Sequence, residues 1–439
     1  MPSRKDWVKN PALPCLSGIK KETMKYKKRT TIIIILCVVL VAELGLLGFF
    51  LMREKEQQAA LQQSTVPTQA TTTPTTVPPT QPPTTVTTEP PTEPPTEPPT
   101  EPEPQEEHFW LSFAGDCTLG STPGLAYHRH SFIKIVKENY DYPFANVAEY
   151  FKNDDFTMVN LESVIADSGK GASKRFVFRG PTAYTQILTG SSVEAVTLAN
   201  NHSKDFGKAG YESTKTALEG AGVTYVEENK TAIYTTESGL KIGLYADAFS
   251  FSKNSIRNNI QKLKEEGAEV IVCAFHWGKE GSYRPDANQK TYAQVALDAG
   301  AHIVYGHHPH VLQKIVQKEN GVIFYSLGNF SFGGHADPQD YDSALLQQEI
   351  IRDPDGKIRL GELKRIPVNC SSITGRNNYQ PTPCEEGSKM YDRILTKLDG
   401  TFKGKDLVVN YGKKEEPTTP STGGTETPAP STGGGTESA

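Results

Sequence analysis

Three histidines fall within four residues of the stretch VYGHHPHVLQ, at His307, His308 and His310. They follow the apolar run AHIVYG, which reads as a buried strand. A single histidine in a loop is ordinarily a solvated polar residue, but a strand running straight into His-x-His calls for partners that would complete a site. The ends of other apolar runs supply them. FWLSFAGD stops at Asp116, FTMVNLE at Asn160 and Glu162, VEAVTLANNH at Asn200, Asn201 and His202, and AEVIVCAFHWG at His276. In open α/β sheets the carboxyl ends of the strands form the ligand crevice, so these endings predict one shared site. Asp116, Glu162, Asn201, His276, His308 and His310 are its six candidate metal ligands. Carboxylates, an amide oxygen and imidazoles without a thiolate suit Mn, Fe or Zn better than soft Cu(I). The set exceeds what one tetrahedral ion needs, which predicts two divalent ions sharing a carboxylate. The i, i+2 spacing of His308 and His310 would place both rings on one side of an extended chain. His307 would then point away, in a supporting role.

The elements that must position these residues alternate. Between the apolar runs lie helical patterns, GKAGYESTKTALEGAG, SIRNNIQKLKEEG and NQKTYAQVALDAG, each closing at glycine. Strand alternating with helix predicts an α/β fold. Two hairpins follow, around Asn320-Gly321 and Asp355-Gly356. They predict mixed sheets with an antiparallel portion.

The 439-residue chain carries a net charge of −5. It shows no basic, aromatic-interleaved patch in sequence, so nucleic acid is not expected as a partner. After a basic, cytoplasmic segment (1–30), Thr31 to Met52 is long and apolar enough to cross a bilayer, with Glu43 the one interruption. The lysines and arginines before it place the N-terminus in the cytoplasm and the rest outside. A cleaved signal peptide is the rival reading, opposed by the long n-region and the lack of an A-x-A-like site. Residues 53–107 form a Pro/Thr/Glu-rich linker, expected to be disordered and extended. Its proline-rich part, about 40 residues at about 3 Å each, would hold a domain on the order of 100 Å from the membrane. A globular unit (108–413) and a disordered tail (414–439) complete the chain. Of the 6 cysteines, Cys117 and Cys273 read as buried thiols. Cys370 and Cys384 flank a polar loop that a disulfide would close.

The order FAGD, NLES, LANNHSKDFG, FHWGKE, GHHPHV, SLGNFSF resembles the bacterial capsule synthesis protein CapA family, also called the poly-γ-glutamate biosynthesis family. The resemblance spans the globular unit from His108 to about Pro367. That family is in turn similar to calcineurin-like metallophosphatases, which implies a four-layer α-β-β-α sandwich with a two-metal site at the sheet edge. By position, the resemblance makes Asp116 the first metal-binding aspartate, Glu162 the bridging carboxylate and Asn201 the metal-binding asparagine. It makes His202 the general acid or charge stabiliser, with Asp205 placed to orient its ring. His276, His308 and His310 take the remaining ligand places. Two departures stand out. Where metallophosphatases begin Asp-x-His, this chain has Thr118, and its second motif is NLE in place of a Gly-Asp pattern.

Lys174, Arg175 and Arg179 could hold substrate carboxylates or phosphates. Trp277 and Glu280 are expected to shape the pocket, and Asn329 to fix a turn beside it or to contact substrate. The reading that follows is a membrane-anchored, extracytoplasmic protein of capsule polymer biosynthesis with hydrolase-type metal chemistry. Its partners would be a cell-surface anionic polymer and membrane synthase subunits. The alternatives are a non-catalytic scaffold or polymer-binding component of a capsule synthase, and a cell-wall binding module with a structural metal.

Overall fold

A computed structural model of the chain describes residues 105–409. The expected transmembrane segment, most of the linker and all of the tail lie outside the described residues. Among the described residues, no helix is long and apolar enough to cross a membrane.

Strand β1 (Glu107–Thr118) is followed by the short helices α1 (Phe132–Val136) and α2 (Ala148–Lys152) and by β2 (Phe156–Leu161). A two-stranded ribbon comes next, β3 (Val164–Ile165) with β4 (Arg179–Gly180), then α3 (Thr185–Thr189), β5 (Ala195–Thr197), α4 (Gly207–Gly220) and β6 (Thr224–Val226). The chain then forms β7 (Lys230–Thr235), β8 (Lys241–Ala248), α5 (Lys253–Glu265), β9 (Val270–His276), α6 (Ala287–Ala299) and β10 (Ile303–His307). The hairpin β11 (Ile315–Lys318) and β12 (Gly321–Phe324) leads to β13 (Asn329–Phe332). Last come β14 (Asp342–Arg352), β15 (Ile358–Asn369), β16 (Thr382–Pro383) and α7 (Lys389–Leu398).

The helices start and stop where local chemistry requires. At α5, the Ser252 side chain accepts from Ser255 N, and Ile256, Ile260 and Leu263 form its buried stripe. At α6, Asp286 and Gln289 form a reciprocal capping box, and Gly300 ends the helix with φ 104°.

Two mixed sheets result. One runs β16-β15-β14-β1-β2-β5-β6 with β13 added against β1, and the other runs β11-β12-β10-β9-β8-β7. Their facing sides share a core that includes Phe113, Met158, Leu244, Val272, Tyr305 and Phe324. Helices α1 to α4 cover the outer face of the first sheet, through Phe132, Phe151, Ile187 and Leu218 among others. Helices α5 and α6 cover the outer face of the second. The layers are therefore α-β-β-α, with α7 placing Ile394 and Leu398 in the inter-sheet core.

GVIFYSLGNF, read from sequence as one arm of a hairpin, divides between the sheets. Val322 to Phe324 pair with β10, and Asn329 pairs with Asp116 of β1. Gly328 makes the crossover, with φ 68° and its carbonyl accepting from Asp116 N at 2.8 Å. A side chain at Gly115 would place its Cβ 2.2 Å from that carbonyl oxygen. Glycine there permits the two backbones to touch.

The disulfide expected between Cys370 and Cys384 is not formed, and both thiols are free. The antiparallel register pairs Val368 with Pro383 and Asn369 with Thr382. It sets Cys384 against Pro367, so the two sulfurs are offset by ~10 Å along the strands.

Candidate metal centre

The site lies where the carboxyl ends of β1, β2, β9 and β10 meet. Parallel pairing aligns the ends within each sheet: Asp116 is in register with Asn160, and His276 with His307. The sheets are then tied across the core by the Tyr305 hydroxyl, which donates to the carbonyl oxygen of Ala114. Two residues farther along each strand, Asp116 and His307 meet at 2.9 Å.

Asp116 is the hub. Its Oδ1 accepts from Asn160 Nδ2 and meets His307 Nδ1, each at 2.9 Å. Its Oδ2 stands 3.1 Å from His310 Nδ1. Burial alone would push this carboxyl up, but His307 and His310 together outweigh it and hold it well below the usual carboxylate range. Glu162 is the opposite case. Both its oxygens are buried without a hydrogen bond, and burial raises its pKa well above the ordinary value against the opposing charge of His310. His276 Nε2 lies 3.6 Å and His310 Nε2 3.8 Å from Glu162 Oε1.

His276 contacts Asn201 Oδ1 through Nε2 at 2.9 Å, and its Nδ1 is buried without a partner. Burial lowers its pKa well below the ordinary imidazole value. His308 is pushed down to about 3 by burial and by the charge of His310. Against burial, Glu162 and Asp116 drive His310 up to about 10. The expected extended segment at His308 and His310 is instead a left-handed turn, with φ 93° and 56°. The turn, not strand alternation, aims both rings at the site. His307 does not point away. It is buried and turned onto Asp116, so its supporting role is to orient that carboxylate.

Two triads hold ligand atoms within 4.8 Å of one another: Asp116, Glu162 and His310, and Glu280, His308 and His310. Glu280, expected from sequence at the substrate pocket, is thus also a candidate ligand, and its own carboxyl is raised by burial. All six candidate ligands read from sequence lie in this one cluster. The buried acceptors on Glu162, together with the orphaned Nδ1 atoms of His276 and His308, fit divalent cations. Buried polar atoms without partners are otherwise costly.

A cavity of about 380 Å³ opens beside the cluster, lined by His202, Glu280, His310, Arg175 and Phe332 among others. His202 packs on Phe178 at 4.4 Å between ring centroids and contacts Asp205 Oδ2 through Nδ1 at 2.9 Å. Burial lowers its pKa, and Asp205 partly restores it. Lys174 pairs with the other oxygen of Asp205 and donates to the Asn201 carbonyl at 2.7 Å, so it braces the site.

Arg179 and Trp277 do not line the cavity. Arg179 donates to the Gly169 carbonyl and lies over the Phe206 ring. It is Arg175 that reaches the cavity wall. Trp277 is 2% exposed and donates through Nε1 to the Tyr325 carbonyl, which makes it core. Asn329 lines the cavity, and its Oδ1 meets His310 Nδ1 at 2.9 Å, so it orients a candidate ligand. Phe249 was not anticipated. It has φ 54°, is 50% exposed, and sets its ring edge-on against His276 and His308 at 5.4 and 4.9 Å. A bulky residue in the left-handed region is a genuine outlier, and the sequence FSF carried no signal of it.

The model of the bacterial capsule synthesis protein PGA_cap family matches residues 110–334, about half of the chain and all the strands that carry the site. The chain belongs to this family. Among the similar proteins, the capsule biosynthesis protein CapA of Bacillus anthracis is 30% identical over 277 residues, covering 56% of this chain and 65% of that protein. The PGA biosynthesis protein CapA of Bacillus subtilis is 27% identical over 323 residues, covering 67% of this chain and 79% of that one. Solved structures that align include the NAD nucleotidase of Haemophilus influenzae, with 10% identity, 70% of this chain and 65% of that chain covered, and a TM-score of 0.34. The 5'-nucleotidase of Candida albicans aligns with 12% identity over 66% of this chain and 56% of that one, at the same TM-score of 0.34.

Proposed function

We propose that this PGA_cap protein acts in the biosynthesis of a capsule polymer of the poly-γ-glutamate type, through a centre that holds two divalent ions (Mn, Fe or Zn) and performs hydrolase-type chemistry. The names of the Bacillus relatives support the pathway. The observation that carries the chemistry is the convergence of Asp116, Glu162, His276, His308 and His310 on one buried spot, with both Glu162 oxygens left without a hydrogen bond. Membrane anchoring through Thr31 to Met52, an extracytoplasmic location, and contact with an anionic surface polymer and membrane synthase subunits belong to the same proposal.

Asp116, Glu162, Asn201, His276, His308 and His310 would hold the ions, with Glu280 an added candidate. Divalent ions in such a site supply Lewis acidity and lower the pKa of a coordinated water. The chain's own groups do the rest. Asp205 fixes the His202 ring through Nδ1, leaving Nε2 as the atom that holds or moves a proton at the cavity. Arg175 on the cavity wall suits a substrate oxyanion. Phe178 and Phe332 limit the entry of water.

One observation favours the second reading, a polymer-binding component without turnover. Thr118 stands where the metallophosphatase pattern has histidine, and its hydroxyl is buried without a partner. Metal analysis of the purified chain, with His308→Ala as control, tests the proposal. About two equivalents, reduced in the variant, are expected. A folded chain that takes up no Mn, Fe or Zn would sink the metal chemistry and leave the second reading.

A further inference from the structure

Away from the metal centre, two loops bring basic side chains together. The loop between β1 and α1 supplies His128, Arg129 and His130, and the loop between β15 and β16 supplies Arg376. The loops are joined at 2.6 Å, where the Tyr379 hydroxyl donates to the His130 carbonyl. The rings of His128 and His130 lie 5.6 Å apart. After partial desolvation, the charges acting on His130 are those of Arg376, Arg129 and His128, all of which lower its pKa.

Such clustering is unfavourable unless something negative answers it. Among the described residues, neither Arg129 nor Arg376 forms an ion pair with a carboxylate. Arg376 Nη1 is moreover buried with no hydrogen-bond acceptor. A buried guanidinium N–H without an acceptor is costly and rare. Its neighbourhood holds a further donor. Tyr142 lies close enough for the charge of Arg376 to lower its pKa, against the larger effect of burial. The Tyr142 hydroxyl already accepts from Asn378 Nδ2 at 2.9 Å, so its own proton is available to a ligand.

We infer that Arg376, Arg129 and the Tyr142 hydroxyl form an oxyanion-binding site, distinct from the metal centre, that takes a phosphate or carboxylate group. The guanidinium fork matches the planar or tetrahedral array of such oxygens. The site connects to the catalytic-side cavity through one residue. Asn377, next to Arg376, donates through Nδ2 to the carbonyls of Phe332 and His335 at 2.8 and 3.1 Å, and both residues line the cavity. An anion that orders Arg376 therefore steadies the cavity rim. The inference does not depend on the metal chemistry proposed above.

Titration calorimetry on the full chain tests it, with inorganic phosphate in one arm and a short polycarboxylate in the other. Phosphate held at the metal centre is untouched by Arg376→Gln, so the readout is the class of sites that the variant loses. The expected result is one class of sites weakened at least ~10-fold in Arg376→Gln, the loss of one charge-assisted hydrogen-bond set. Arg129→Gln should weaken the same class, and Arg376→Lys should retain part of it. Arg129 is exposed, so its variant serves if Arg376→Gln fails to fold. Weakening in the phosphate arm identifies a small-ion site, and weakening in the polycarboxylate arm alone identifies polymer docking. Binding of both probes to the variants as tightly as to the wild type, or no binding of either probe, overturns the inference.

Discussion

At the scale of single residues, the centre is a balance of charges that the side chains alone do not satisfy. Burial pushes Glu162 toward its neutral form, while Glu162 and Asp116 drive His310, against burial, toward its cationic form. A bound cation reverses that logic, since it is the largest local charge in any such site. His202 is distinct because it has a dedicated partner. Asp205 accepts from Phe178 N at 2.7 Å and holds the His202 ring with the same oxygen. Asp205→Asn keeps the shape but removes the charge and permits the wrong tautomer. Turnover of a phosphoester by the metal-loaded chain should fall ~10²-fold or more, with metal content unchanged. Full retention of rate would remove His202 from the mechanism.

At the scale of elements, α7 is docked by ions as well as by apolar contact. Lys397, with its side chain 2% exposed, reaches Asp340 and Asp342 at 2.6 and 2.7 Å, and Arg393 pairs with Asp342 at 2.6 Å. The Tyr283 hydroxyl also donates to Asp340, which ties the β9–α6 loop to the segment before β14. Removing one partner from a buried pair strands the other charges. Lys397→Met should therefore cost ~3–5 kcal/mol in urea unfolding. A loss below ~1 kcal/mol would show that Arg393 alone satisfies Asp342. Because Asp340 lines the cavity, the same variant should loosen its rim.

At the scale of the whole molecule, two carboxyls far from the centre set a pH dependence. Burial raises Asp154 and Glu194 each to about 7. In the unfolded chain such groups ionise near 4. Between those values the folded state binds more protons than the unfolded state. Stability therefore falls as pH rises through that window, and the loss is complete above about 7. Glu194→Gln can still accept from Thr157 N, a bond now 2.7 Å long, but has no proton to lose. Its melting temperature should drop less between pH 5 and pH 8 than that of the wild type. Parallel curves for the two proteins would contradict the raised pKa.

The sequence by itself determined the α/β alternation, the hairpins at Asn320-Gly321 and Asp355-Gly356, and the six candidate ligands at strand ends. Each of these rests on a local pattern: hydrophobic period, turn chemistry, and polar residues at strand ends. Only the tertiary structure decided the rest. It placed Glu280 beside His308, turned His307 onto Asp116, split GVIFYSLGNF between two sheets and buried Trp277 in the core. It also separated Cys370 from Cys384 and joined the loop of Tyr379 to that of His130 across 249 positions of sequence. Those outcomes depend on strand register, on left-handed turns at His308, His310 and Phe249, and on how two sheets pack face to face. No short stretch of sequence encodes them, because each is set by packing between segments far apart in the chain.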